Sequence, residues 1–116
     1  MNIRYLYKNV NVDENTKQYI EKRLRKLEKL LKKIIKVEVE IDRDKKGFFR
    51  VEVMIKDNKQ LYRAEETTKT IEASVDIVVD ELKRQIRREK EKMWTKIIRK
   101  ARSVKKRFSV NKDARF

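Results

Sequence analysis

The spacing of apolar residues switches between two periods along this chain, and these switches constrain the fold more than any other feature of the sequence. Residues 2–8 alternate between two sets of side chains, which predicts a β-strand. Residues 14–33 instead repeat apolar residues every three or four positions, which predicts an amphipathic helix. Alternation returns in three further segments, residues 35–43, 48–56 and 61–66. The helical spacing resumes at Ile71, so the predicted order of elements is β-α-β-β-β-α.

The ends of the predicted elements carry residues suited to caps and turns. Asp13 and Thr70 are predicted to cap the two helices, because short polar side chains accept hydrogen bonds from the backbone N–H groups of the first turn. Gly47 lies between the second and third strands, where a tight turn favours a residue that adopts positive φ. The first helix is expected to run to about Lys33, since its apolar stripe extends to Leu31.

The second helix is expected to continue to about Lys106, because no helix-breaking residue interrupts it. Residues 108–116 are expected to form a loosely ordered tail. Trp94 lies on the continuation of the helix, where it either packs within the chain or stacks on a base.

These elements predict an α+β fold. Four strands form one mostly antiparallel sheet, and two amphipathic helices cover one of its faces, because each element must bury its apolar side. The second helix extends beyond the sheet at its C-terminal end. The length of 116 residues fits one domain with such an extension.

The composition excludes several classes of function. The chain has no cysteine and no histidine, which removes disulfides, thiolate metal sites and the usual general base near neutral pH. The sequence contains no phosphate-binding glycine loop and no nucleophile motif. No run of 18 apolar residues is present. We therefore expect a cytoplasmic protein that is not an enzyme and that has no cofactor, metal or small-molecule substrate.

The charge is large and unevenly distributed. Thirty-four Lys and Arg residues face nineteen Asp and Glu residues, giving a net charge of +15. Residues 14–33 hold eight basic and three acidic side chains, residues 34–66 hold eight of each, and residues 81–107 hold thirteen basic and three acidic ones. The positive charge therefore lies on the predicted helices, while the strands are neutral. This distribution predicts a polyanionic partner.

RNA is the polyanion that the basic residues fit best. The guanidinium groups of Arg84, Arg87 and Arg88 suit bidentate contacts with phosphate, and the lysines suit point contacts. This mixture is typical of proteins that recognise the shape of RNA rather than its bases. On a helical wheel, seven basic residues point away from the apolar stripes: Lys22, Arg25, Lys26, Lys29, Lys33, Arg84 and Arg88.

Several short segments, in order and spacing, resemble the family of ribosome hibernation-promoting factors and ribosome-associated inhibitors. The predicted order of elements matches that family. The matching segments are Met1-Asn2-Ile3 with Lys8-Asn9-Val10, Tyr19 to Leu24 with Lys26-Leu27-Glu28, Arg50-Val51-Glu52-Val53, Arg63-Ala64-Glu65-Glu66, Ala73 to Asp76, Val79 to Leu82, and Arg84-Gln85-Ile86. They span about residues 1–95. The turn at 57–59 and the stretch after Glu66 depart from the family by lacking glycine.

The resemblance implies a protein that binds the small ribosomal subunit in the channel used by messenger and transfer RNA. It also implies inhibition of translation in starved or stressed cells. In that family the basic faces of both helices contact 16S rRNA. At the matching positions of this sequence, the resemblance implies that the rRNA contacts are made by Lys22, Arg23, Lys26, Lys29, Arg84, Arg88, Lys90 and Lys92.

The end of the chain resembles a further feature of that family. Residues 104–109 are similar to the start of the extra C-terminal domain that dimerises in the family's long members. We therefore expect residues 1–95 to form the ribosome-binding domain and residues 96–116 to form a basic helical extension, either of a short form or of a truncated long form. A monomer is expected for this form.

Two alternatives share some of this evidence. A generic double-stranded-RNA-binding module also combines a sheet with two helices, but it usually carries a basic cluster where the last helix begins. Here residues 70–80 are acidic, with Glu72, Asp76 and Asp80. The second alternative is a membrane-surface protein that uses its long basic helix, with Met93, Trp94 and neighbouring apolar residues as the buried side.

Overall fold

The computed structural model describes the backbone of residues 1–113 and the side chains of residues 1–103. The elements in chain order are β1 (Ile3–Lys8), α1 (Glu14–Glu28), β2 (Ile34–Arg43), β3 (Phe49–Asp57), β4 (Leu61–Thr68) and α2 (Ile71–Asp113). The predicted order β-α-β-β-β-α is therefore confirmed.

The four strands form one open sheet in the order β1-β2-β3-β4. β1 runs parallel to β2, with Ile3 opposite Val37, whereas β2, β3 and β4 pair antiparallel with their neighbours. The parallel pair follows from the connection through α1, since parallel neighbours need a crossover and a two-residue turn cannot join them. The prediction of a mostly antiparallel sheet in an α+β fold is confirmed.

The core lies between the two helices and one face of the sheet. Alternate strand residues are buried, as in β2, where Val37, Val39 and Ile41 are at most 2% exposed. The helices contribute their apolar stripes to the same hydrophobic cluster. The fully buried helix residues in it are Ile20, Leu24, Leu27, Val75, Val79, Leu82 and Ile86. Burial of this apolar area is the main force that holds both helices on one face.

Local hydrogen bonds confirm the predicted caps and turn. The Thr16 backbone N–H donates to the Asp13 carboxylate at 2.8 Å, and the Ala73 N–H donates to the Thr70 hydroxyl at 3.1 Å. Gly47 adopts a φ of +86° in the turn between β2 and β3. These contacts satisfy backbone donors that the first turns of the helices leave free.

The ends of both helices differ from the prediction. α1 ends at Glu28 rather than about Lys33, because the chain must reverse before Ile34 enters β2. Leu31 still packs against the core, but from the turn rather than from the helix. α2 continues to Asp113, beyond the expected end at Lys106, so residues 108–113 are helical and not a loose tail. Residues 114–116 of that predicted tail lie outside the described residues.

The chain divides into two compact units. Unit 1 comprises Met1–Ile86, with the sheet, α1 and the first part of α2, and unit 2 begins at Arg87. The sheet and the hydrophobic core belong to unit 1.

Candidate nucleic-acid interface

The sheet face that is not covered by the helices carries paired charges. Three carboxylates lie within 3.7 Å of the Arg50 guanidinium, those of Glu40, Glu52 and Glu65. Lys8 also pairs with Glu40 at 2.9 Å, and this hydrogen bond holds the pKa of the Glu40 carboxyl below its usual value. Arg63 pairs with Glu52 at 2.9 Å. Most of the positive charge on this face is therefore neutralised within the protein.

The outer side of α1 carries basic residues without acidic partners. Its inner side is fixed by Ile20, Leu24 and Leu27, which are completely buried. The exposed basic residues on the outer side are Lys22, Arg25, Lys26 and Lys29, and none of them forms an ion pair with the described part of the chain. We call these four residues the α1 basic face. Because positions four apart are neighbours on a helix, their charges form one continuous strip.

Part of the α1 basic face lies at the C-terminal end of α1, where positive charge is favourable. Arg25 and Lys26 lie in the last turn of α1. Positive side chains there interact favourably with the negative end of the helix dipole. The same residues can therefore stabilise the helix and still present their charges to a polyanion.

Arg23 lies apart from the α1 basic face. Its side chain is only 23% exposed, and its Nε lies 2.9 Å from Oδ1 of Asp76 on α2. The Tyr19 hydroxyl donates to the same oxygen at 2.6 Å. This hydrogen bond raises the pKa of Tyr19. Arg23, predicted as an RNA contact, thus joins the two helices in this structure.

Arg84 is the predicted site residue that α2 contributes to unit 1. Its side chain is 60% exposed, and its Nε lies 3.3 Å from the carboxylate of Glu81, one turn earlier. Exposed pairs of this kind contribute little to stability. Arg84 can therefore exchange Glu81 for an external anion at small cost.

The remaining predicted residues lie in unit 2. Arg87, Arg88, Lys90 and Lys92 are all exposed, and no ion pair of theirs is found among residues 1–103. Arg88 and Lys92 line a shallow groove along the helix together with Lys96 and Arg99, which the sequence interpretation did not single out. Their spacing of three or four residues was visible in the sequence. Trp94 is 63% exposed.

The structure thus groups the predicted residues into three sets. Lys22, Lys26 and Lys29 share the α1 basic face with Arg25, which the helical wheel also places outward but which was not among the predicted RNA contacts. Arg23 and Arg84 form ion pairs within unit 1. The other four predicted residues, Arg87, Arg88, Lys90 and Lys92, follow one another along the helix of unit 2. Their role in RNA binding stays a prediction.

Other kinds of site find little support in the residues that the structure describes. Within this range no group of three or more His, Cys, Asp or Glu side chains is arranged to hold a metal ion. No helix in the same range is long and apolar enough to cross a membrane.

Comparison with known proteins identifies solved structures of the same fold. The N-terminal domain of Protein Y from Thermus thermophilus is similar at 28% sequence identity and a TM-score of 0.68, covering 76% of this chain and 98% of that domain. A ribosomal subunit interface protein from Coxiella burnetii is similar at 17% identity and a TM-score of 0.69, covering 78% of this chain and 99% of that protein. The second match shows a shared fold.

A family model covers most of the chain. The model described as sigma 54 modulation protein / S30EA ribosomal protein matches residues 3–94. This range includes the whole sheet, α1 and the part of α2 that packs on the core. The chain belongs to the sigma 54 modulation protein / S30EA ribosomal protein family.

Proposed function

We propose that this protein binds the small ribosomal subunit in the channel for messenger and transfer RNA and inhibits translation under stress or starvation. It acts in the cytoplasm by occupying rRNA rather than by catalysis. Residues 1–95 bind the ribosome as a monomer, and residues 96–116 form a basic extension.

The α1 basic face carries this proposal. Lys22, Lys26 and Lys29 are exposed and free of acidic partners in the part of the chain that the structure describes. The open face of the sheet, in contrast, pairs most of its basic residues internally, as Arg50 and Arg63 do. Unpaired lysines that neutralise rRNA phosphates release the cations condensed on the RNA, which drives association at low salt.

The relatives support a ribosomal partner rather than RNA in general. The family description names a ribosomal protein, and the similar Coxiella burnetii structure is described as a ribosomal subunit interface protein. A generic double-stranded-RNA-binding module would not be expected to match this family over residues 3–94.

The first test reverses the charge at the three lysines of the α1 basic face and leaves Arg25 unchanged. A variant with Lys22→Glu, Lys26→Glu and Lys29→Glu is compared with the wild type in co-sedimentation with small subunits on sucrose gradients. The matched control is Lys45→Glu, Lys46→Glu and Lys59→Glu, which makes the same change in net charge at three exposed residues of the strand-connecting turns. Urea unfolding checks that both variants are folded.

We expect the α1 variant to lose co-sedimentation at moderate salt, while the control variant keeps it. Equal loss in both variants would mean that only net charge matters, and full retention in the α1 variant would refute the assignment. Arg88→Glu with Lys92→Glu tests the basic residues of unit 2 in the same way. Flotation with anionic liposomes at the same moderate salt covers the membrane alternative, for which we expect no binding that persists at this salt.

A further inference from the structure

One carboxylate oxygen of α2 receives two side chains of α1. The Tyr19 hydroxyl lies 2.6 Å and the Arg23 Nε lies 2.9 Å from Oδ1 of Asp76. Tyr19 and Arg23 are four residues apart, so they project from the same face of α1, one turn from each other. The three residues, which we call the Asp76 cluster, all belong to unit 1.

Arg23 differs from its basic neighbours in its surroundings. The Nε atom is buried, and Asp76 is the carboxylate that contacts it as an ion pair, without the alignment of a good hydrogen bond. The Arg23 side chain is 23% exposed, whereas Lys22 and Lys26 on either side are exposed to solvent. The Nε of Arg23 is therefore already held by a carboxylate within the protein, unlike the ammonium groups of its lysine neighbours.

The Asp76 cluster adds directional polar contacts to the packing of α1 against α2, which is otherwise apolar. Leu24 and Val75 are fully buried in the shared core, but apolar contacts are non-directional and allow neighbouring packings of similar energy. The hydrogen bond from the Tyr19 hydroxyl to Asp76 has a narrower geometry, because hydrogen bonds weaken steeply when their distance or alignment changes. The cluster therefore defines one placement of α1 along α2.

This placement matters for a rigid target. Lys22 and Lys26 lie on α1 and Arg84 lies on α2, so the spacing between these charges depends on how the two helices pack. Folded rRNA presents its phosphates at fixed positions and would be sensitive to that spacing, whereas a flexible polyanion would adapt to it.

We infer that Arg23 is a positioning residue rather than an rRNA contact, and that with Tyr19 and Asp76 it sets the spacing of the basic residues that bind the small subunit. This inference rests on the proposed function. It assigns to Arg23 a role different from that of Lys22, its neighbour in the chain. Asp76, an acidic residue, thereby becomes necessary for binding to a negatively charged partner.

The Asp76→Asn variant separates the two roles of Arg23. The substitution increases the net charge by one and frees Arg23 from its counter-ion. If Arg23 contacted phosphate, binding to small subunits would be retained or strengthened. If Arg23 is a positioning residue, binding to small subunits becomes several-fold weaker, while binding to heparin, a flexible polyanion, is unchanged or stronger.

Two further variants complete the test on the full chain. Lys22→Gln removes a predicted phosphate contact, so the negative slope of log K against log salt should decrease in magnitude by about 0.7–0.9 for small subunits. Arg23→Gln should weaken binding to small subunits without changing that slope. The double variant Arg23→Gln, Asp76→Asn should bind no more weakly than the weaker single variant, because both changes break the same contact.

The outcomes distinguish this inference from the proposed function. The inference is overturned if Asp76→Asn binds small subunits as well as the wild type, or if Arg23→Gln reduces the magnitude of the salt slope as Lys22→Gln does. The proposed function fails instead if the wild type does not bind small subunits. In that case urea unfolding still tests the Asp76 cluster, since additive shifts of the unfolding midpoint for Arg23→Gln and Asp76→Asn would refute it.

Discussion

The side-chain amide of Gln85 on α2 pairs with the backbone of Arg63 on β4. Its Nε2 donates to the Arg63 carbonyl at 2.8 Å, and its Oε1 accepts from the Arg63 N–H at 3.3 Å. β4 is an edge strand, and edge strands leave backbone groups unpaired that can recruit other chains. Gln85 thus occupies, at one residue of this edge, the hydrogen-bonding position that a further strand would take.

We predict that Gln85→Ala weakens unit 1 at this edge. The loss of two hydrogen bonds should lower the free energy of unfolding by about 1–2 kcal/mol. The matched control is Gln18→Ala on the exposed side of α1, which should change stability by less than about 0.5 kcal/mol. Hydrogen exchange gives the local readout, since the Arg63 amide should exchange faster in Gln85→Ala. Unchanged protection of that amide would contradict the interpretation.

Leu24 tests the packing of α1 on the sheet. The side chain is 0% exposed and belongs to the central hydrophobic cluster. We expect Leu24→Ala to lower the free energy of unfolding by about 2–5 kcal/mol, through lost apolar burial and the cavity that remains. Ile35, which is 57% exposed, provides the control. If urea unfolding showed equal losses of unfolding free energy for Leu24→Ala and Ile35→Ala, the assignment of Leu24 to the core would be contradicted.

The lowered pKa of the Glu40 carboxyl should make the stability of the protein depend on pH. Its carboxyl pKa lies below the usual value of 4.5, chiefly because Lys8 donates a hydrogen bond to it. A pKa that is lower in the folded state stabilises the protein above the unfolded pKa, and this contribution is lost as the pH falls through the folded pKa. Glu40→Gln should therefore destabilise the protein at pH 7 and make little difference at pH 3.

Urea unfolding at both pH values measures this effect. Glu91→Gln is the control, because this exposed carboxylate forms no ion pair with residues 1–103. A destabilisation by Glu40→Gln that is as large at pH 3 as at pH 7 would show that the ion pair with Lys8 is not its cause.

Gly47 should be hard to replace because of its backbone. Its φ is +86°, and a Cβ added there would meet no atom closer than the Arg43 guanidinium at 4.0 Å. The cost of Gly47→Ala therefore comes from conformation rather than from a clash, and should be about 1–2 kcal/mol in urea unfolding. Gly47→Asn should cost less, since Asn tolerates positive φ better. Equal costs for Ala and Asn would argue against this explanation.

The sequence predicted the features that depend on local spacing. Alternation identified Val37, Val39 and Ile41 as the buried side of β2, and the structure confirms it. The side chains of Asp13 and Thr70 likewise sufficed to locate both helix starts. Such features follow from neighbours within a few residues, which a sequence displays directly.

Features that depend on distant partners were missed. The helical spacing continues to Leu31, but α1 ends at Glu28. The chain has to turn there, because Ile34 begins β2 and pairs with Asp57 of the neighbouring strand β3. A helical wheel places Arg23 by its own helix alone and cannot reveal that Asp76 approaches it from α2. The same limit explains why the wheel identified Lys22 as outward-facing but not Arg23 as a helix contact.

The most direct measurement of the central claim is cleavage of rRNA by a hydroxyl-radical source tethered next to the α1 basic face. The chain contains no cysteine, so Gln18→Cys, one turn before Lys22, accepts a single iron chelate without replacing a basic residue. Asn58→Cys, in the turn between β3 and β4, carries the same chelate as a control. The proposed function predicts strong cleavage of small-subunit rRNA along the messenger and transfer RNA channel from position 18, and weaker cleavage from position 58. No cleavage from position 18, or cleavage outside the channel, would contradict it.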